Sequence, residues 1–227
     1  MAAHNLVHRL AAVRETIDQS LARAGRRQSV VIVAVTKTHP ADAVREALAA
    51  GLTDVGENRV QEALEKQDAL PGVDVRWHLI GSMQRNKARL ITGRFALIHS
   101  LDRADLAAEI GRRVPPGARQ RVLLQVNCSA EPQKGGVEPG LLPGLIDDIL
   151  GLPALELCGL MTMAAFDADE RELRRTFGLL RRLRDEGERR GVPLPELSMG
   201  MSGDYPIAVE EGATLVRLGA ILFGERT

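Results

Sequence analysis

The chain has 227 residues, 30 basic against 30 acidic side chains and 44% hydrophobic content. These values exclude a disordered chain and provide for one large core. A formal net charge of zero argues against a protein that coats nucleic acid, whose footprint is usually a strong basic excess. Two cysteines, Cys128 and Cys158, offer neither a disulfide framework nor metal-ligand spacing, so a reducing, cytoplasmic setting is expected. The longest apolar run, 30–35, is far too short to span a membrane. Residues 1–27 also lack the apolar core of a secretory signal.

Segment 4–24 carries Leu6, Leu10, Val13, Ile17 and Leu21 at spacings of three and four, one face of a helix. Its Glu15 and Asp18 speak against a mitochondrial presequence, so a helix packed on the body of the protein is expected. Strand-like runs then follow at 29–36, 53–56, 75–80, 95–99, 121–127, 155–161, 194–199 and 214–219. Helical patterns fall between them at about 40–50, 57–69, 84–92, 102–113, 139–150, 169–190 and 204–212. Several strands are apolar on both faces, as parallel strands covered by helices must be. Strict strand–helix alternation points to an α/β fold, and eight strands fit a closed (β/α)8 TIM barrel. An open doubly wound sheet would want a Gly-rich turn after the first strand. Here that turn reads Thr36-Lys37-Thr38-His39-Pro40. One domain over residues 1–227 is expected, with the helix in 1–28 packing on the barrel.

In such a barrel, function gathers at the C-terminal ends of strands, and phosphate favours the loops after the last two. Lys37 shares parity with Val31, Val33 and Val35, so it points into the barrel mouth if they point inward. Among 30 basic residues only Lys37, Lys66, Lys87 and Lys134 are lysines, and lysine can act as an amine nucleophile where arginine cannot. A snorkelling strand-end lysine is the plainer alternative. Ser202 and Gly203, within Ser198-Met199-Gly200-Met201-Ser202-Gly203-Asp204, could open a helix and hold an anion, or Ser202 could simply cap it. Gly219 and Ala220 follow the last strand, with Arg217 two residues deeper and in need of an acceptor. A salt bridge to a nearby carboxylate is the plainer reading of Arg217. Together these groups describe a phosphorylated aldehyde held as a Schiff base, either pyridoxal phosphate or a sugar phosphate in an aldolase.

The motifs VAVTKTHP, GENRVQE, WHLIGSMQRNKAR, HSLD, LLQVNCSAEPQKGGV, LSMGMSGD and VRLGAILFGER resemble the pyridoxal phosphate homeostasis (YggS/PROSC-like) family, from about residue 30 onward. The resemblance implies a monomeric barrel like the N-terminal domain of alanine racemase, with pyridoxal phosphate on Lys37. It implies Asn58 near the cofactor ring and Arg217 facing the pyridine nitrogen. It places Ser202, Gly203, Gly219 and Ala220 around the phosphate. Two departures stand out. Ala220 replaces the family's usual threonine, removing a hydroxyl, and TKTHP replaces SKTKP, so His39 stands where the family has a second lysine. Lys134 matches a family lysine on the loop after the fifth strand.

A guanidinium donates to the pyridine nitrogen but does not protonate it, and an unprotonated ring is a poor electron sink. Racemases tolerate this with a second base, which the alanine racemase family takes from an additional domain that this chain is expected to lack. Tyr205, His78 and His99 are the remaining candidate bases, each more simply structural. Cys128 and Cys158 are expected to be buried thiols, Trp77 to pack a strand, and the arginine-rich 171–190 to be a solvated helix. The expected function is binding of pyridoxal phosphate for storage or delivery to PLP-dependent apoenzymes, with no catalytic residue, metal, nucleic acid or membrane. An amino-acid racemase and a Schiff-base aldolase are the alternatives.

Overall fold

The structure is a computed structural model that describes residues 2–131 and 134–224, without the side chains of residues 2–4. Eight parallel strands close into a barrel in chain order: β1 (Val31–Val35), β2 (Asp54–Glu57), β3 (Arg76–Leu79), β4 (Leu97–Leu101), β5 (Gln120–Gln125), β6 (Leu155–Met161), β7 (Glu196–Ser198) and β8 (Leu215–Leu218). Closure rests on β1 lying beside β8, with Val31 opposite Leu215 and Val33 opposite Arg217. That pairing excludes the open doubly wound sheet and establishes the TIM barrel.

Helices α1 (Ala2–Arg23), α2 (Asp42–Ala49), α3 (Val60–Ala69), α4 (Ala88–Ile91), α5 (Ala104–Gly111), α6 (Leu142–Leu150), α7 (Glu170–Arg189), α8 (Tyr205–Glu210) and α9 (Ala220–Phe223) cover the outside. As its periodicity predicts, α1 buries Leu6, Leu10, Val13 and Ile17 and lies against α8 and α9. In α7, Leu173, Phe177 and Leu180 face the barrel, and the Asp169 carboxylate accepts the Glu172 amide at 2.8 Å to cap the helix.

Strand parity divides the core in two. Outward-facing Ile32, Ala34, Leu79, Ile98 and Leu124 join the helices in the large outer cluster. Val33, Leu97, Leu123, Cys158, Met161 and Leu215 pack inside the barrel. One bulge serves this division: the β5–β6 register shifts between Val122 and Leu123 at Gly159 on β6. A Cβ on Gly159 would fall 1.9 Å from the Glu196 carbonyl, so only glycine lets β7 approach there. Both cysteines are buried and unbridged. Burial pushes the Cys128 thiol up to about 11, which makes it an inert structural group. Trp77 packs outside the barrel, against the helical layer.

Boundaries moved where short-range chemistry overrides period. The expected helix 84–92 is a 3-10 turn, Arg85–Lys87, followed by a four-residue α4. The expected helix 139–150 likewise begins with a 3-10 turn, Pro139–Leu141, and carries Pro143 in its first turn, where no amide is missed. Strand β4 runs two residues later than its hydrophobic run suggested, because Ser100 and Leu101 continue the buried ladder. Among the described residues no helix is long and apolar enough to cross a membrane.

Candidate functional site

At the C-terminal ends of the strands a cavity of about 570 Å³ opens. Lys37, Asn58, Ser202, Gly203, Arg217, Gly219 and Ala220 all line it, so the seven positions the resemblance assigns to the cofactor converge on one place. Ser82, Gln125, Met163 and Phe166 also line it and were missed. Their signal was position alone, since each sits at or just past the end of a strand.

Lys37 stands two residues past β1, half-buried, in a turn. The turn is strained: Thr38 has φ +66°, a left-handed conformation that a β-branched residue adopts only under constraint. The constraint comes from α3. The Thr38 amide donates to Glu62 Oε1 at 2.5 Å. Lys66 Nζ, buried beneath, donates to the Thr36 carbonyl and Glu57 Oε1 at 2.7 Å each and to Glu62 Oε1 at 2.9 Å. Thr36 Oγ1 adds a fourth bond to Glu57 Oε1 at 2.6 Å. An ammonium with three donors fits three convergent acceptors, which explains a lysine rather than an arginine here. Both peptides flanking Lys37 are thereby fixed. Burial pushes the Glu57 carboxyl up, and the bonds from Lys66 and Thr36 pull it back only in part.

Asn58 follows β2, and its backbone is seated against Gly81, where a Cβ would fall 2.1 Å from the Asn58 carbonyl. The loops after β7 and β8 meet through Ser202. Its Oγ accepts the Ile221 amide at 3.3 Å, so it does not cap α8. That cap position belongs to Asp204, whose Oδ1 accepts the Met201 amide at 2.5 Å. Gly203 has open space above it, while a Cβ on Gly219 would press on the Val35 carbonyl at 3.3 Å. Ala220 is exposed and offers no hydroxyl.

Arg217 is buried and, among the described residues, makes no ion pair with a carboxylate, contrary to the plainer reading. Its Nη1 donates to Ser198 Oγ at 2.6 Å and its Nη2 to the Thr162 carbonyl at 2.9 Å. Burial lowers its pKa to about 10, partly offset by Asp204, so the guanidinium is still cationic at neutral pH. Beneath it, Ser198, His99, His78 and Asp54 form a buried polar column through the barrel interior. His78 and His99 therefore lie below the cavity rather than in its lining, and Tyr205 is packed into the outer core. His39 stacks near Phe223, with ring centroids 5.3 Å apart, outside the cavity lining. Lys134 pairs with Glu131 at 2.6 Å and donates to the Ala164 carbonyl.

Asp54 gives this column a measurable signature. Burial pushes its carboxyl up, but hydrogen bonds from His78 and Arg76 outweigh that and hold it at about 2, against 3.8 ordinarily. A depressed carboxylate stabilises the fold above its unfolded pKa, and that stability is lost as pH falls through the folded value. Asp54 is expected to contribute about 2 kcal/mol at neutral pH, reduced by solvent around the exposed Arg76 arm. Equilibrium unfolding of Asp54→Asn should show a shallower acid limb than wild type between pH 4 and pH 2. Equal acid slopes would refute the assignment.

Comparisons with known proteins agree with this fold. Residues 8–227 match the family model described as alanine racemase, N-terminal domain. A pyridoxal phosphate homeostasis protein of Aquifex aeolicus is 46% identical over 225 residues, covering 98% of this chain and 99% of that protein. The solved structure of PipY from Synechococcus elongatus with PLP bound is 38% identical, with a TM-score of 0.84 over 96% of this chain and 100% of that one. Alanine racemase of Clostridium difficile shares the fold alone, at 15% identity and TM-score 0.78, and this chain covers 57% of it. The chain belongs to the alanine racemase N-terminal-domain family and, within it, to the pyridoxal phosphate homeostasis proteins.

Proposed function

We propose that this chain, acting over residues 1–227 as one monomeric cytoplasmic unit, binds pyridoxal phosphate in the cavity and stores or delivers it without turning over a substrate. The observation that carries the proposal is the convergence of Lys37, Arg217 and the Ser202–Gly203 and Gly219–Ala220 loops on one cavity. The chemistry of that donor set fits the group. Lys37 and Arg217 come from the neighbouring strands β1 and β8 and line the same cavity, and the two loops would offer backbone amides to a phosphate dianion. The volume lies within the usual range for small-molecule sites, about 300–1,000 Å³.

When bound, the cofactor supplies an aldehyde that condenses reversibly with primary amines. Lys37 supplies the amine that holds it. Asn58 and Gln125 line the same cavity, and Arg217 would donate to the ring nitrogen while keeping its own proton. An unprotonated ring disfavours carbanion chemistry. Among the described lining residues the titratable groups are Lys37, Asp204 and Arg217. Racemisation needs bases on both faces of the substrate; no histidine or tyrosine stands in this described lining, and the carboxylate there, Asp204, is engaged by the Met201 amide. Phe166, 96% exposed at the rim, marks an open mouth through which a free amine or a recipient apoenzyme can approach. Catalysis favours a water-excluding site; hand-over favours this open one.

The test is incubation of the PLP-loaded protein with L-alanine and other L-amino acids in deuterated water, followed by NMR and chiral analysis. Cα protons should stay in place while the amines exchange with Lys37. Deuteration at about one turnover per second or faster, the range of ordinary enzymes, would favour the racemase reading over the carrier.

A further inference from the structure

The polar column beneath Arg217 draws one residue from each of five strands: Asp54 (β2), His78 (β3), His99 (β4), Ser198 (β7) and Arg217 (β8). Side chains of this kind inside a barrel are costly unless every donor meets an acceptor. Here the bonds run 2.6 Å from Arg217 Nη1 to Ser198 Oγ, 2.8 Å from Ser198 Oγ to His99 Nδ1, 2.8 Å from His99 Nε2 to His78 Nδ1, and 2.9 Å from His78 Nε2 to Asp54 Oδ1.

The ends of the column favour one direction of proton donation along it, and we infer that direction. Arg217 carries donors only, so Ser198 Oγ must accept from it. The Ser198 hydroxyl then donates to the bare Nδ1 of His99. Burial, the largest influence on it, holds His99 neutral, and in this arrangement its one proton sits on Nε2 and is donated to His78 Nδ1. His78 in turn places its proton on Nε2, facing a carboxylate that only accepts. Asp54 is also gripped by Arg76, through Nε at 2.7 Å and through Nη2. The far end borders a second cavity under α1, lined by Asp54 together with Arg14 and Asp18. The column thus has a cation at the cofactor mouth and an anion at the barrel floor, with Ser198 and two imidazoles linked in series between them.

We propose that Ser198, His99, His78 and Asp54 are positioning residues that act through Arg217, fixing its guanidinium plane and tying its charge to Asp54 at the opposite end of the barrel. With Nη1 committed to Ser198 and Nη2 to Thr162, the guanidinium cannot rotate, and its cavity-facing edge is presented in one orientation. Loss of the anion at the floor leaves the dipolar column unanchored. A change at Asp54, which does not line the cofactor cavity, is therefore felt by whatever Arg217 touches. The part of this inference that concerns cofactor rests on the proposed function; the proton directions do not.

Two measurements test it. Long-range ¹H–¹⁵N NMR of the wild-type protein without added PLP, assigned with His78→Asn and His99→Asn, should show both imidazoles neutral and protonated at Nε2. A proton on His99 Nδ1, or a doubly protonated His78 at neutral pH, would overturn the direction of the column. In the second, PLP is titrated into wild type and Asp54→Asn, with thermal unfolding as a control. Asp54→Asn should shift the visible band of the bound cofactor and weaken retention by about three- to tenfold, the equivalent of losing one ordinary hydrogen bond. A lowered melting temperature with unchanged band and affinity would overturn the positioning role and make Asp54 a structural floor residue. A wild type that develops no PLP band would refute the proposed function and the positioning role together, and the NMR result would still decide the proton directions.

Discussion

Borohydride reduction of the PLP-loaded protein is expected to place the pyridoxyl group on Lys37, and Lys37→Ala or Lys37→Arg should abolish that label entirely. The other three lysines are excluded by their placement. Lys66 is sealed between the sheet and α3 with all three donors engaged. Lys134 spans two loops through Glu131 and the Ala164 carbonyl, and Lys87 sits in the 3-10 turn after β3; neither lines the cavity. Arginine at position 37 keeps a positive charge, so Lys37→Arg separates electrostatic retention from amine chemistry. Peptide mapping by mass spectrometry reads the result. A label confined to Lys87 or Lys134 would remove Lys37 from its role.

Much of this was legible in the sequence because the signals were periodic or positional. Strand parity alone aimed Lys37 at the mouth, and the barrel rule located Ser202, Gly203, Gly219 and Ala220 on adjoining loops. Helix α9 was invisible for the opposite reason, since four residues carry no helical period. The alternative reading of Ser202 as a helix cap fails because Asp204 holds the cap position of α8 and Ser202 accepts the Ile221 amide across the loops. Arg217 was expected to need an acceptor, and it has two, but both are neutral. Those partners, like the whole column down to Asp54, come from strands far apart in sequence. Each member reads singly as a structural residue, and only barrel closure brings them into line. Lys66 shows the same limit. Its helix reads as an ordinary amphipathic segment, and nothing local announces that its lysine is buried.

That buried lysine supplies the second large effect. Lys66→Met should destabilise the protein by about 3–5 kcal/mol, because it leaves Glu57 ionised and unpaired in the layer between sheet and helix. Glu57 is fully buried, and its carboxyl is already pushed up by burial with Lys66 in place. Without Lys66 it rises further. A carboxyl with a raised folded pKa costs nothing below its unfolded value and destabilises as pH climbs past it. The deficit of Lys66→Met at neutral pH should therefore shrink as the pH is lowered toward about 4, the ordinary glutamate range. Replacing both partners, Lys66→Met with Glu57→Met, should recover most of the lost stability, since an apolar pair of similar volume often equals or exceeds a buried ion pair. Cofactor retention should not recover with it. Lys66 and Glu62 hold the Thr36 carbonyl and the strained Thr38 amide on either side of Lys37. With Lys66 gone, the turn can relax out of its left-handed conformation and carry the amine away from the cavity. Denaturant unfolding at neutral and acidic pH, alongside PLP titration of the single and double variants, measures both consequences. A Lys66→Met protein of wild-type stability would refute the buried pair, and a double variant with full PLP retention would refute the link between this cluster and Lys37.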